Sequence, residues 1–425
     1  MPEPESRLSR RLGTTDAVVV GLGAMIGTGV FVVWQPAAEQ AGVWLLAGVV
    51  IAAFVALCNA TSSAQLAAVH PQAGGTYVYG RERLGQSWGA LAGYAFVVGK
   101  VASCAAAAHA VGTYLWPEHS RAVAVTATVL VTAVNLAGVQ RTARTTRWLV
   151  AAVVAVLLAV VVAALAGADA GTRQSAAVDA GVTDVLGAAG LLFFAFAGYA
   201  RIATLGEEVR NPRRTIPRAI PIALGLVLLL YLAVAAAVLA ALGTGGAAGS
   251  PRPVTAAVEQ AGAAWLAPVA TAGAAVAALA ALLALVAGVS RTAFAMAAES
   301  DLPRRLATVH ERRRIPHVAE VVAGVAVLAA VLAGGLVAAL SFSAFTVLLY
   351  YALTNAAALR LRREERLWPR WLAWAGLASC LLLAASLPWR TIVLGVAALV
   401  ISMGARTVAR TWRRRSAAED RDRRP

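Results

Sequence analysis

Runs of about twenty apolar residues recur along the whole chain, separated by short stretches carrying Arg, Pro or Gly. In lipid no water is available to the backbone. A run of that length therefore folds as a helix that satisfies its own N–H and C=O groups. Twelve spans are expected, at about 14–36, 42–69, 86–114, 121–139, 146–167 and 183–205, then 216–242, 265–295, 316–335, 338–360, 370–387 and 391–408. The longest outer connectors fall near 168–182 and 243–264, the second holding the turn-rich GTGGAAGSPRP. The expected class is an all-α integral membrane protein. The polar start MPEPESRLSRR, followed by a long glycine-rich run, does not read as a cleavable leader.

The charge pattern supports this count. The chain has a net charge of +16, which by itself could suit nucleic acid. With both termini inside, 31 of the 37 basic residues fall in inner segments. Only Arg121, Arg173, Arg252 and Arg390 fall outside, while Lys100 and Arg201 lie in or near spans. Such a bias is the positive-inside signature of a multi-pass protein of the cytoplasmic membrane. The basic residues then face anionic lipid, and no nucleic-acid partner is expected. The tail RTWRRRSAAEDRDRRP reads as a solvated segment next to the membrane. Cys58, Cys104 and Cys380 lie inside apolar runs and read as small buried hydrophobes. No metal or cofactor is expected.

Two spans carry glycine where a helix should continue. GLGAMIGTGVF (Gly21 to Phe31) interrupts span 1 at Gly27 to Gly29, and FFAFAGYARIATLGEEV interrupts span 6 at Gly198. Each Gly costs about 1 kcal/mol against Ala in a helix interior. Spans 1 and 6 open two sets of five, and an odd number per set turns the second set over in the membrane. Interrupted helices in matching places of inverted halves point to a transporter's binding site. A break exposes N–H and C=O groups that must line a cavity or bind a ligand, and half-helix N-termini suit a carboxylate. Close helix packing through small residues is the competing explanation for the glycines.

GLGAMIGTGVF, PQAGGTYVYGRERLG and FFAFAGYARIATLGEEVRNPRRTIPRAI together resemble the amino acid permeases of the amino acid–polyamine–organocation superfamily. The resemblance covers spans 1–10, with spans 11 and 12 matching only as an apolar pair. It implies a LeuT-type 5+5 inverted repeat plus two C-terminal helices. The segments would be a tail 1–13, a first repeat 14–168, a second repeat 183–360, spans 11 and 12 at 370–408, and a basic tail 409–425. It implies that an amino acid carboxylate meets Met25, Gly27, Thr28 and Gly29. The α-amino group would meet carbonyls of Phe194, Ala195 and Ala197, beside Gly198, with Phe194 closing over the substrate. Some members carry an acid two residues after the span-6 Gly, whereas this chain has Ala200 followed by Arg201. Its absence weakens the case for a cationic substrate. Arg201 either faces the pathway or pairs with Glu207 or Glu208.

Lys100, near the middle of span 3, is the one lysine among 37 basic residues. An amine at that depth costs about 2.5–3.5 kcal/mol on insertion scales, which makes it a functional candidate. Lysine, unlike arginine, can release a proton when buried. Lys100 is therefore the candidate proton-coupling group, with span 1, span 8 and Ser290 as possible contacts. A lysine that merely fills a polar gap is the alternative. His109 reads as structural, and Asp16 and Glu39 as helix-end residues. The expected function is secondary active transport of amino acids, proton-coupled, with obligate exchange of amino acids or amines as the alternative. A membrane enzyme would need a His/Asp/Glu constellation or a Ser/His pair on facing helices, and neither is visible.

Overall fold

A computed structural model of the chain describes residues 13–70, 74–138, 143–168, 180–203, 209, 211–310 and 315–422. These residues form helices joined by turns. The first expected span is three pieces, α1 (Thr14–Met25), α2 (Gly29–Val32) and α3 (Trp34–Ala41). Span 2 is α4 (Leu45–Val69), and a short helix α5 (Thr76–Arg83) follows it. Spans 3, 4 and 5 are α6 (Gln86–Leu115), α7 (Ser120–Leu136) and α8 (Ala143–Ala166). Span 6 is α9 (Val182–Phe196), a 3-10 turn (Ala197–Tyr199) and α10 (Ala200–Ala203). Then come α11 (Pro212–Gly249), α12 (Pro253–Gln260), α13 (Ala267–Ala298), α14 (His317–Ala333) and α15 (Leu336–Leu359). The last two are α16 (Arg370–Ala385) and α17 (Trp389–Asp422). Among the described residues ten stretches are long and apolar enough to cross a membrane, and α14 and α16 are shorter apolar helices of 17 and 16 residues.

The expected edges need revision in three places. The connector at 243–264 is largely helical: α11 runs on past Gly243, where φ of 68° breaks the helix locally, and α12 occupies 253–260. Turn residues here mark a kink and two caps. Span 1 runs on through α3 to Ala41. The C-terminal tail continues α17 as helix to Asp422, and Arg410 at its start bonds Asp301 Oδ1 at 2.8 Å.

Small residues set the helix spacing. The α6 stretch from Ala105 to Ala108 is fully buried, and α6 packs between α13 and α15. The Ser103 and Ser343 hydroxyls bond across to α15 at 2.6 Å. Such close approach is what drives helix association where both helix and solvent are apolar. The two interrupted spans begin alike. The Gly13 N–H donates to Asp16 Oδ2 (3.0 Å), and the Gly181 N–H donates to Asp184 Oδ2 (2.9 Å). The sequence there is GTTD in one case and GVTD in the other. Each Asp occupies an orphan donor and places negative charge at a helix N-terminus. Asp16 also pairs with Arg147 at 2.7 Å, and Glu39 bonds Gln35, so both acids have helix-end roles.

One end of the bundle is held by a buried carboxylate. Past α13 the chain turns through Ser300, at φ 62°, and the N–H groups of Asp301 and Leu302 fold back onto the Met296 carbonyl (2.8 and 3.3 Å). This buries the Asp301 side chain completely. Its Oδ1 accepts from Arg406 Nε (2.7 Å) and Arg410 Nη2 (2.8 Å) of α17. Its Oδ2 accepts from the Tyr77 hydroxyl (2.7 Å) of α5, and Arg81 stands 3.6 Å away. The rest of α5 is fastened as well. The Thr76 N–H donates to the Tyr350 hydroxyl (3.1 Å), and Arg83 grips Glu365 through two bonds of 2.7 and 3.0 Å. The hydrogen bonds from Arg83 hold the Glu365 carboxyl below its ordinary range.

Candidate functional site

Span 1 loses its helix at Ile26, where ψ of 71° leaves the helical region, and regains it at Gly29. The Gly27 N–H turns back onto the Met25 carbonyl (2.9 Å), and the Phe31 N–H bonds the Thr28 carbonyl (3.1 Å). The first N–H groups of a helix have no partner within it, so the turn opening at Gly29 offers donors. Thr28 is buried and its hydroxyl has no hydrogen-bond partner. In span 6 the break is tighter. The Ala197 N–H is shared between the carbonyls of Phe193 and Phe194, and a 3-10 turn carries the chain into α10.

The two breaks lie against each other. A Cβ placed on Gly29 would sit 2.6 Å from the Ala195 Cα, and one on Gly198 would sit 2.6 Å from the Met25 nitrogen and collide with the Ala24 carbonyl. These glycines are therefore needed for packing, whatever else they do. Gly27 differs, because its Cβ would touch only the Ala281 methyl of α13 at 3.4 Å. Met25, Ala195 and Ala197 are buried, while Phe194 is partly exposed. Ala200 begins α10. Arg201 on α10 is exposed, and its expected partners Glu207 and Glu208 lie outside the described residues.

Tyrosines satisfy the carbonyls that the breaks release. The Tyr231 hydroxyl, from α11, donates to the Met25 carbonyl (2.8 Å) and shares its hydrogen with the Ala195 carbonyl (3.2 Å). One atom thus joins both breaks. The Tyr351 hydroxyl, from α15, donates to the Ala197 carbonyl (3.3 Å), and Tyr114 of α6 donates to the Phe31 carbonyl (2.9 Å). All three tyrosines are buried. Each carbonyl has two lone pairs, so Ala195 and Ala197 keep an acceptor site for a ligand. Sequence reasoning did not find these residues. The available signal was tyrosine, an amphipathic side chain, at bilayer depth in otherwise apolar runs.

Lys100 is partly buried on α6, with its ammonium 5.9 Å from the Phe96 ring centroid. It makes no hydrogen bond or ion pair among the described residues. Ser290 of α13 is buried and its hydroxyl bonds back to the Ala287 carbonyl (3.1 Å). The expected contacts of Lys100 with span 1, span 8 and Ser290 are therefore not made in this structure. The three cysteines are buried and free.

Residues 16–419 match the family model described as amino acid permease. A protein described as an uncharacterised transporter of Mycobacterium tuberculosis is 54% identical over 97% of this chain and 94% of its own length. The branched-chain amino acid permease of Bacillus subtilis is 27% identical, covering 74% of this chain and 73% of its own. Cationic amino acid transporter 4 of mouse is 26% identical over 85% of this chain and 61% of its own. The apolar helices, the paired breaks and these likenesses agree: the chain belongs to the amino acid permease family of multi-pass membrane transporters and is not an enzyme.

Proposed function

We propose that the protein is a secondary active transporter that moves neutral amino acids across the cytoplasmic membrane by alternating access, with both termini in the cytoplasm. The observation that carries this reading is the meeting of two interrupted helices whose exposed carbonyls share the Tyr231 hydroxyl. The matching GTTD and GVTD starts support a LeuT-type inverted repeat, with halves at 14–168 and 183–360 and spans 11 and 12 at 370–408. A substrate carboxylate would take the N–H groups at Thr28 and Gly29, where the helix dipole is positive, together with the unpartnered Thr28 hydroxyl. The α-amino group would use the remaining lone pairs of the Phe194, Ala195 and Ala197 carbonyls. The side chain would lie toward Phe194, Gly198 and Ala200. No carboxylate stands among these residues, which favours neutral over cationic substrates.

Proton coupling is assigned to Lys100, an amine at bilayer depth without an ion-pair partner among the described residues. In one state it holds a proton, and in the other it releases it as the spans rearrange. The absence of a bond from Lys100 to span 1 or span 8 favours the second reading, obligate exchange. Proteoliposomes separate the two. Accumulation of a neutral amino acid mixture driven by a pH gradient, lost in Lys100→Ala, supports coupling. Counterflow without net accumulation supports exchange. Competition by a diamine with no carboxylate, or by amidated amino acids as strongly as by the parent acids, would overturn the site assignment.

A further inference from the structure

An apolar groove of about 420 Å³ runs between α6 and α17. Leu91 belongs to its α6 wall, and Val396, Val400, Met403, Gly404 and Thr407 to its α17 wall. These α17 residues recur every three or four positions and so share one helix face. Val396 and Val400 are exposed, and a Cβ built on Gly404 meets no atom within 4 Å. Val396 to Thr407 is eleven helical steps, about 16 Å. The hydrocarbon core of a bilayer is about 30 Å thick, so the groove has the depth of one leaflet. That is the reach of an acyl chain, whereas a spanning helix of a second copy would need about twice the length.

One end of the groove is basic. Arg410 follows Thr407 by three residues on the same face of α17. Its Nη2 donates to Asp301 Oδ1 (2.8 Å) and its Nη1 to Gln86 Oε1 (3.0 Å). A guanidinium carries five N–H groups, so three are unspent among the described residues, and the side chain is 25% exposed. Around it, Arg81, Arg406 and Arg410 share the carboxylate of Asp301, and Arg81 also pairs with Glu299 at 2.8 Å. Three guanidiniums against two carboxylates leave this cluster cationic. Along the sequence α17 then adds Arg413, Arg414 and Arg415 before its next acid, Glu419. Trp88, in the first turn of α6, is exposed at the same end, as aromatic residues at a membrane interface are.

We propose that this groove binds one anionic phospholipid of the cytoplasmic leaflet, with an acyl chain along Leu91 and Gly404 and the phosphate beside Arg410. The choice of leaflet rests on the reading that the C-terminus is cytoplasmic. Basic pockets between helices on that side of a membrane hold acidic head groups by the same charge complementarity. The apolar walls supply depth and shape, and the arginines supply the preference for negative charge. A lipid bound there joins α6 to α17 at the end that Asp301 fastens.

Native mass spectrometry of the full-length protein in mild detergent tests this, with phosphatidylglycerol or phosphatidylcholine of the same acyl chains added. One phosphatidylglycerol should be retained at least about fivefold more tightly than phosphatidylcholine, the preference one arginine near a head group supplies. Gly404→Leu puts a side chain into the groove and should weaken that retention about tenfold. Equal retention of the two lipids, or wild-type retention in Gly404→Leu, overturns the proposal. A dimer that Gly404→Leu disperses would give the groove to a second copy and overturn it as well. If Gly404→Leu does not fold, the wild type decides. Phosphatidylglycerol with a photoactivatable diazirine in its acyl chain should cross-link to peptides holding Leu91 or residues 396–407, and cross-links confined to other peptides overturn the site. The detergent result does not depend on orientation. Labelling of Ser416→Cys by an impermeant thiol reagent outside whole cells would overturn the cytoplasmic leaflet and leave the groove standing.

Discussion

Replacing Tyr231 with Phe removes a single oxygen atom and keeps the ring. The ring contacts should survive, because Trp34 and Phe196 meet it edge-on at 6.1 and 4.9 Å without using the hydroxyl. What is lost is the bond to the Met25 carbonyl at 2.8 Å and the longer, shared one to Ala195 at 3.2 Å. A net hydrogen bond is worth about 0.5–1.5 kcal/mol, and the hydroxyl has one hydrogen to share, so its loss costs about that much. The Met25 carbonyl keeps the Gly27 N–H as a donor. If the hydroxyl holds the breaks in their binding geometry, that energy appears as roughly 2- to 13-fold weaker substrate affinity. It also appears as a lower melting temperature without ligand. Thermal unfolding of the purified protein, with and without amino acids, reads both quantities. A Phe variant that melts and binds like the wild type would refute the idea that this hydroxyl ties the breaks.

Gly29→Ala should destabilise the folded protein, because the new methyl meets the Ala195 backbone, while Gly27→Ala should stay folded; circular dichroism melts compare them. Asp301→Asn should cost about 3–5 kcal/mol, as removal of one member of a buried ion pair does, leaving Arg406 without a counter-charge; chemical denaturation measures it. The Glu365 carboxyl is depressed by Arg83 in the fold, so its contribution is present above the ordinary carboxylate pKa and is lost as pH falls through the depressed value. Acid melting profiles should therefore lose a step in Glu365→Gln.

The sequence carried the span positions well, because a twenty-residue apolar run has one way to satisfy its backbone in lipid. It also located both breaks, since glycine in a helix leaves a local mark. It was less informative about why the glycines are there. Gly29 and Gly198 face each other's helices, a relation visible only once spans 1 and 6 are packed. Tyr231 is 206 residues from Met25, and Asp301 is 224 from Tyr77, so no local pattern announces either bond. The repeated G-x-T-D start was legible throughout, 168 residues apart from Gly13 to Gly181, and would have supported the two-halves reading.

The carboxylate of Asp301 has a consequence for how the chain is made. Its ligand Arg410 is 109 residues further along, and Arg406 is 105. At about 5–20 residues per second, the ribosome delivers those arginines roughly 5–20 s after the aspartate. Through that interval Arg81, already synthesised, stands 3.6 Å from the Asp301 carboxylate. The hub closes only when the last helix arrives. A chain that ends before residue 406 therefore lacks both α17 arginines that bond the Asp301 carboxylate, and α13, α5 and α17 are not yet tied together at that end.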